Sequence, residues 1–152
     1  DPDYMEAMDR AWDPARLMMK LQRDYGQEEF NAFYTAWGER FHVQDRKDDY
    51  RAVAAESLEE AGIDADALKI WGSTELDQEL RAEQAAVEDM VGDDVGTPVI
   101  SFGEGVAYFG PVVSPAPKGE QAGQMLDAMA MMATIPGFYE LKRARSGGPD
   151  FS

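Results

Sequence analysis

A single β-rich stretch, placed after a long run of helical periodicity, limits what this chain can fold into. Thr97-Pro98-Val99-Ile100-Ser101-Phe102 leads into Gly103-Glu104-Gly105 and then Val106-Ala107-Tyr108-Phe109. β-Branched and aromatic residues on both sides of a glycine-rich turn predict a β-hairpin. An isolated hairpin is marginal in water. Val99, Ile100 and Phe102 put bulk on both faces, the pattern of a strand buried in a larger sheet. No other segment reads as a strand, which leaves the first strand of the hairpin with an unpaired edge. Either a partner supplies further strands or the chain is a piece of a larger fold.

The rest reads as helix. Tyr4 to Trp12 is expected to form a short helix that stops at Asp13-Pro14, where an N-cap and a first-turn proline would begin the next. That second helix carries Leu17, Met18, Leu21 and Tyr25 on one face and ends at Gly26. Phe30, Phe33, Tyr34, Trp37 and Phe41 predict a third, from about Glu28 to Phe41. After a charged loop at Gln44–Lys47, Asp48 or Asp49 caps a helix using Tyr50, Val53, Ala54 and Leu58, which Gly62 ends. A helical turn is expected over Ala65–Trp71. Thr74-Glu75-Leu76-Asp77 reads as a capped start of a helix that reaches about Met90. Beyond the hairpin, Gly119–Thr134 predicts a helix with Met125, Leu126, Met129 and Met132 as its apolar stripe. Phe138–Arg145 is expected to add another helical turn or two.

Composition narrows the chemistry. At 152 residues the chain is about one domain. Its hydrophobic fraction of 44% excludes a disordered acidic tail despite a net charge of −16. With 30 acidic against 14 basic residues, nucleic acid and anionic membrane surfaces are excluded as partners. No apolar run approaches the roughly 20 residues that span a bilayer. There are no cysteines, so neither a disulfide framework nor thiol chemistry can come from these residues alone. His42 is the single histidine, which argues against a histidine-based metal site. The acidic pairs Glu28-Glu29, Asp48-Asp49 and Asp93-Asp94 read as caps and solvated surface. The chain opens at Asp1 with neither an initiator methionine nor a signal peptide, and the expectation is that something upstream precedes it.

The ordered set Val91-Gly92-Asp93-Asp94-Val95-Gly96-Thr97-Pro98-Val99-Ile100 and Val106-Ala107-Tyr108-Phe109-Gly110-Pro111-Val112 resembles the cis-proline hairpin of DsbA-like thioredoxin-fold oxidoreductases. More narrowly, it is similar to the actinobacterial branch that includes the mycothiol-dependent nitroreductases. Tyr4…Ala11-Trp12, Gly38-Glu39-Arg40-Phe41-His42 and Phe138–Arg145 fit the same branch, so the resemblance covers nearly the whole chain.

The resemblance implies an α/β fold: a partial, DsbA-like thioredoxin fold with a helical insertion, mostly helical with one C-terminal β-hairpin. Residues 1–92 would be the helical insertion, and 93–152 the strand-strand-helix half of the thioredoxin domain. The leading βαβ unit, with a Cys-x-x-Cys motif at its helix, would be missing. The resemblance further implies a thiol-disulfide oxidoreductase that uses mycothiol or a similar low-molecular-weight thiol as electron donor. Its substrate would be a small nitro compound or a disulfide, and its location the cytoplasm. In such proteins a cysteine at a helix N-terminus is a thiolate near neutral pH and forms a mixed disulfide that a second cysteine resolves.

Thr97 and Pro98 carry over as the active-site loop, with a cis Thr97-Pro98 bond against a low base rate for such bonds. Tyr4 and His42 carry over as thiol- or substrate-binding residues. For His42 the alternative is an imidazole at a helix C-terminus, favoured by the dipole there. For Tyr4 it is a frayed chain end. Two other functions stay open: a non-catalytic binding or assembly module that keeps the fold, and the thiol-dependent isomerase branch with serine for the first cysteine. No metal or bound cofactor is expected. The unpaired strand edge predicts self-association, which salt should strengthen by screening the net charge.

Overall fold

Aromatic and aliphatic residues recurring at i, i+4 shape the first part of the chain, and the structure, a computed structural model, shows where each repeat leads. It describes residues 2–103, 105–144 and 147, without the side chains of residues 2–4 and 7. In order, the elements are α1 (Pro2–Asp24), α2 (Gln27–Gly38), a π-helical turn (Glu39–Val43) and α3 (Tyr50–Glu60). A 3₁₀ turn (Ala65–Ile70), α4 (Asp77–Val91), β1 (Val99–Gly103), β2 (Val106–Phe109) and α5 (Glu120–Ala133) follow. This is an α/β chain, mostly helical with one small antiparallel sheet, as in a partial thioredoxin-like fold.

Two compact units divide the chain, Asp1–Ala82 and Glu83–Ser152, with the boundary inside α4. In the first, Leu17 and Leu21 of α1, Phe33 and Trp37 of α2, and Val53 and Leu58 of α3 form one buried cluster with Ile63, Ala67, Ile70 and Leu76. Each fully buried Leu or Phe contributes about 1.5–3 kcal/mol relative to its exposed state. Ser57 sits among them and donates its hydroxyl to the Val53 carbonyl at 2.7 Å, so no polar atom there is stranded. Asp49 caps α3 by accepting the Ala52 N–H at 2.9 Å. Gly62, at φ +68°, turns the chain out of that helix.

Two expected helix starts are displaced, for the same reason. Asp13-Pro14 does not separate two helices, because α1 runs unbroken through a buried Pro14. A proline inside a helix removes one backbone hydrogen bond and costs about 3 kcal/mol. The Asp13 carboxylate, which would have capped a new helix, instead accepts the Gly72 N–H and the Arg16 guanidinium, both at 2.8 Å. Likewise α4 begins at Asp77 rather than at Thr74. Ser73 Oγ accepts the Glu75 N–H at 3.3 Å to close only a turn there. The Asp77 carboxylate is held by Arg16 through two bonds of 2.7 and 2.9 Å, and is not available to complete a capping box. Arg16 and Arg81 also flank the Trp12 ring, at 5.4 and 4.8 Å from its centroid.

In the second unit, β1 and β2 pair antiparallel with Val99 opposite Phe109, Ile100 opposite Tyr108 and Ser101 opposite Ala107. A bulge between Ser101 and Gly103 shifts the register beside the turn. Gly103 and Gly105 take φ of +83° and +76°, a region that only glycine enters freely, which explains the glycine pair. Among the described residues no third strand joins this sheet.

The expected methionine stripe of α5 lies on one face, but Met125, Met129 and Met132 are only half-buried, and Leu126 is 53% exposed. Phe138–Arg145 is not helical over its described residues, 138–144. Instead Phe138 packs edge-on against Tyr108 at 5.7 Å and accepts its hydroxyl at 3.1 Å through the backbone carbonyl. Beyond that contact, Tyr139 and Leu141 are 88% and 80% exposed.

Candidate functional site

The π-helical turn places His42. After Gly38 the chain winds one residue wider, and the Gln44 N–H bonds the Glu39 carbonyl at 3.0 Å. Single π turns of this kind recur at functional sites. Asp45, at φ +55°, then reverses the chain, and the Arg46 N–H returns to the Arg40 carbonyl at 3.0 Å. Aspartate tolerates this left-handed conformation better than most residues. His42 is exposed, its ring set edge-on to Phe41 at 5.1 Å. Phe41 stacks on Trp37 at 5.3 Å and meets the Tyr50 edge at 4.9 Å, so the exposed imidazole stands on a packed aromatic base.

Charges fasten this turn to α3. Arg40 donates to Glu60 at 2.6 Å, to Glu56 at 3.3 Å and to the Ala36 carbonyl at 3.1 Å. Arg46 grips both oxygens of Glu56. The Arg46 hydrogen bonds, aided by Arg40, lower the Glu56 pKa from 4.5 to about 2. Protonating Glu56 is thus harder in the folded chain than in the unfolded one. Its stabilising contribution is present above pH 4.5 and is lost as pH falls through about 2. Asp24, lowered to about 2 by Arg23 and Lys20, acts in the same direction. Stability should therefore fall from pH 4.5 downwards, and Glu56→Gln should flatten that fall. Urea midpoints across pH for the two proteins check it; parallel curves would remove Glu56 from the account.

Thr97 and Pro98 lie at the entry to β1, both exposed, and their peptide bond is cis. The Gly110-Pro111 and Ser114-Pro115 bonds are cis as well. The Pro98 carbonyl accepts the Gly110 N–H at 2.7 Å, which ties the loop to the end of the hairpin. Gly110 takes φ +113° and is buried, so a side chain there would be strained by the backbone alone. Tyr4 belongs to α1, and its side chain lies outside the described residues. His42 and Tyr4 thus fall in the first compact unit, and Thr97 and Pro98 in the second.

Arg10 is a site-flanking residue that the sequence pattern gave no reason to single out. From α1 its Nη2 donates to the Lys47 and Asp48 carbonyls at 2.8 and 3.3 Å, and its guanidinium covers the Tyr50 ring at 4.4 Å. A recess of about 220 Å³ beside this loop is lined by Arg46, Asp48, Asp49 and Val53. A wider cleft of about 320 Å³, lined by Lys20, Tyr25, Asp66, Ala67, Lys69, Ile70 and Glu75, holds none of the candidate residues. Among the described residues no helix is long and apolar enough to cross a membrane.

Comparison with known families supports the narrower part of the resemblance, the mycothiol-dependent branch. A family model described as mycothiol-dependent nitroreductase Rv2466c matches residues 1–143, nearly the full length of the chain. The chain belongs to the Rv2466c-like family of mycothiol-dependent nitroreductases.

Proposed function

We propose that this chain forms the thiol-binding part of a DsbA-like thiol-disulfide oxidoreductase that uses mycothiol to reduce small nitro compounds or disulfides in the cytoplasm. The family match over residues 1–143 carries the reading. Residues 1–92 serve as the helical insertion and 93–152 as the closing strand-strand-helix half. Thr97 and Pro98 face the reacting sulfurs, while Tyr4 and His42 contact the thiol.

The chemistry sets what the chain contributes. Reducing a nitro group to nitroso takes two electrons and two protons; two thiols supply them, becoming one disulfide, and water leaves. A sulfur nucleophile is required, and this chain has no cysteine. The sulfur comes from mycothiol and from a cysteine outside these residues, and this chain binds and orients. The same absence of cysteine favours, as a second reading, a binding or assembly module without turnover. His42→Ala and Thr97→Val are the test. Each should weaken mycothiol binding by about tenfold, the loss of one good contact, with an unchanged melting temperature. Unaltered affinity in both variants would defeat the site assignment.

Self-association belongs to the same proposal. The outer edge of β1 has no strand neighbour among the described residues, and Phe109, Leu126 and Ile135 are exposed in the same unit. Two copies can cover such surfaces symmetrically. The net charge of −16 opposes approach, so raising salt should shift sedimentation toward dimer. A monomer at high concentration and high salt would contradict it.

A further inference from the structure

We propose that Arg10 is a positioning residue, holding the His42 turn at a fixed place relative to the N-terminal half of α1. This rests on the reading that His42 contacts the thiol. The contacts run without a gap from one to the other. Arg10 bridges the Lys47 and Asp48 carbonyls and stacks on Tyr50 at 4.4 Å. Tyr50 meets Phe41 at 4.9 Å, and Phe41 meets His42 at 5.1 Å. Arg40 and Arg46 fix the turn to α3 through Glu56 and Glu60. Arg10 thus ties the loop after His42 to the helix that carries Tyr4. Arg10 lies six positions after Tyr4, about 9 Å along the helix axis. A low-molecular-weight thiol held by Tyr4 and His42 meets a spacing that Arg10 helps to set.

The guanidinium suits this task in a way that an ammonium does not. Its flat face lies on the tyrosine ring while its edge donates to carbonyls, whereas lysine has no planar face to stack. Arg10 itself is exposed, and the hydrophobic core does not depend on it. Removing it should therefore loosen the loop without unfolding the unit.

The experiment uses the full chain with Arg10→Ala and Arg10→Lys, read by NMR of the imidazole and by titration with mycothiol. His42 is the only histidine, so its ring signals need no sorting. Both variants should shift or broaden those signals and weaken mycothiol binding about tenfold, while core aromatic signals and the melting temperature stay put. Wild-type imidazole signals in Arg10→Ala would overturn the inference, as would full rescue by lysine, which would reduce Arg10 to a charge. If the unmodified chain does not bind mycothiol, the proposed thiol site falls. The imidazole signals still decide whether Arg10 positions the turn.

Discussion

Phe33→Ala is expected to destabilise the chain by about 3–5 kcal/mol. Phe33 is fully buried and stacks on Trp37 at 6.3 Å within the buried cluster of the first unit. Truncation removes the transfer energy of the ring and leaves a cavity that rigid helices fill poorly. Domains of this size hold only about 5–15 kcal/mol in total, so much of the folded population is at risk. The π turn depends on the same packing, because Trp37 supports Phe41 and Phe41 supports His42. Urea denaturation followed by tryptophan fluorescence measures the change. A loss below about 1 kcal/mol would mean that this side chain does not anchor the core.

The second large effect is a complete one. Incubated with mycothiol and a nitro compound, the purified chain should show no thiol-dependent turnover above a heat-treated control. Mixed with a mycothiol disulfide, it should gain no mass from a covalent adduct. Thiol-disulfide exchange needs a thiolate to attack a sulfur, and the nine methionine thioethers cannot take that part. Hydroxyls and carboxylates give no stable mixed disulfide. Turnover, or an adduct that a reductant removes, would place sulfur-type chemistry on residues that the present account treats as binding groups.

The sequence shows much of this fold where local chemistry decides it. The i, i+4 aromatics of α2, the Asp49 cap and the glycine pair of the hairpin each act within a few residues, and each is read directly. The failures come from partners distant in sequence. Asp13 looks like a cap until Gly72, 59 residues away, takes its carboxylate. Asp77 looks like half of a capping box until Arg16 claims it across 61 residues. Arg10 reads as one more surface charge, since the carbonyls that it bridges begin 37 residues later. Periodicity placed the methionines of α5 on one face but could not say how much of that face would be covered. For the candidate site, Thr97-Pro98 and His42 come from the resemblance alone. Their neighbours, Gly110 against Pro98 and Phe41 beneath His42, required the folded chain.

The central claim is that these residues carry thiol recognition although they carry no thiol. Equilibrium binding of mycothiol and of glutathione to the unmodified chain, by calorimetry, tests it most directly. The account predicts saturable binding of mycothiol, at least about tenfold tighter than glutathione. No binding of mycothiol, or equal affinity for both thiols, would contradict it.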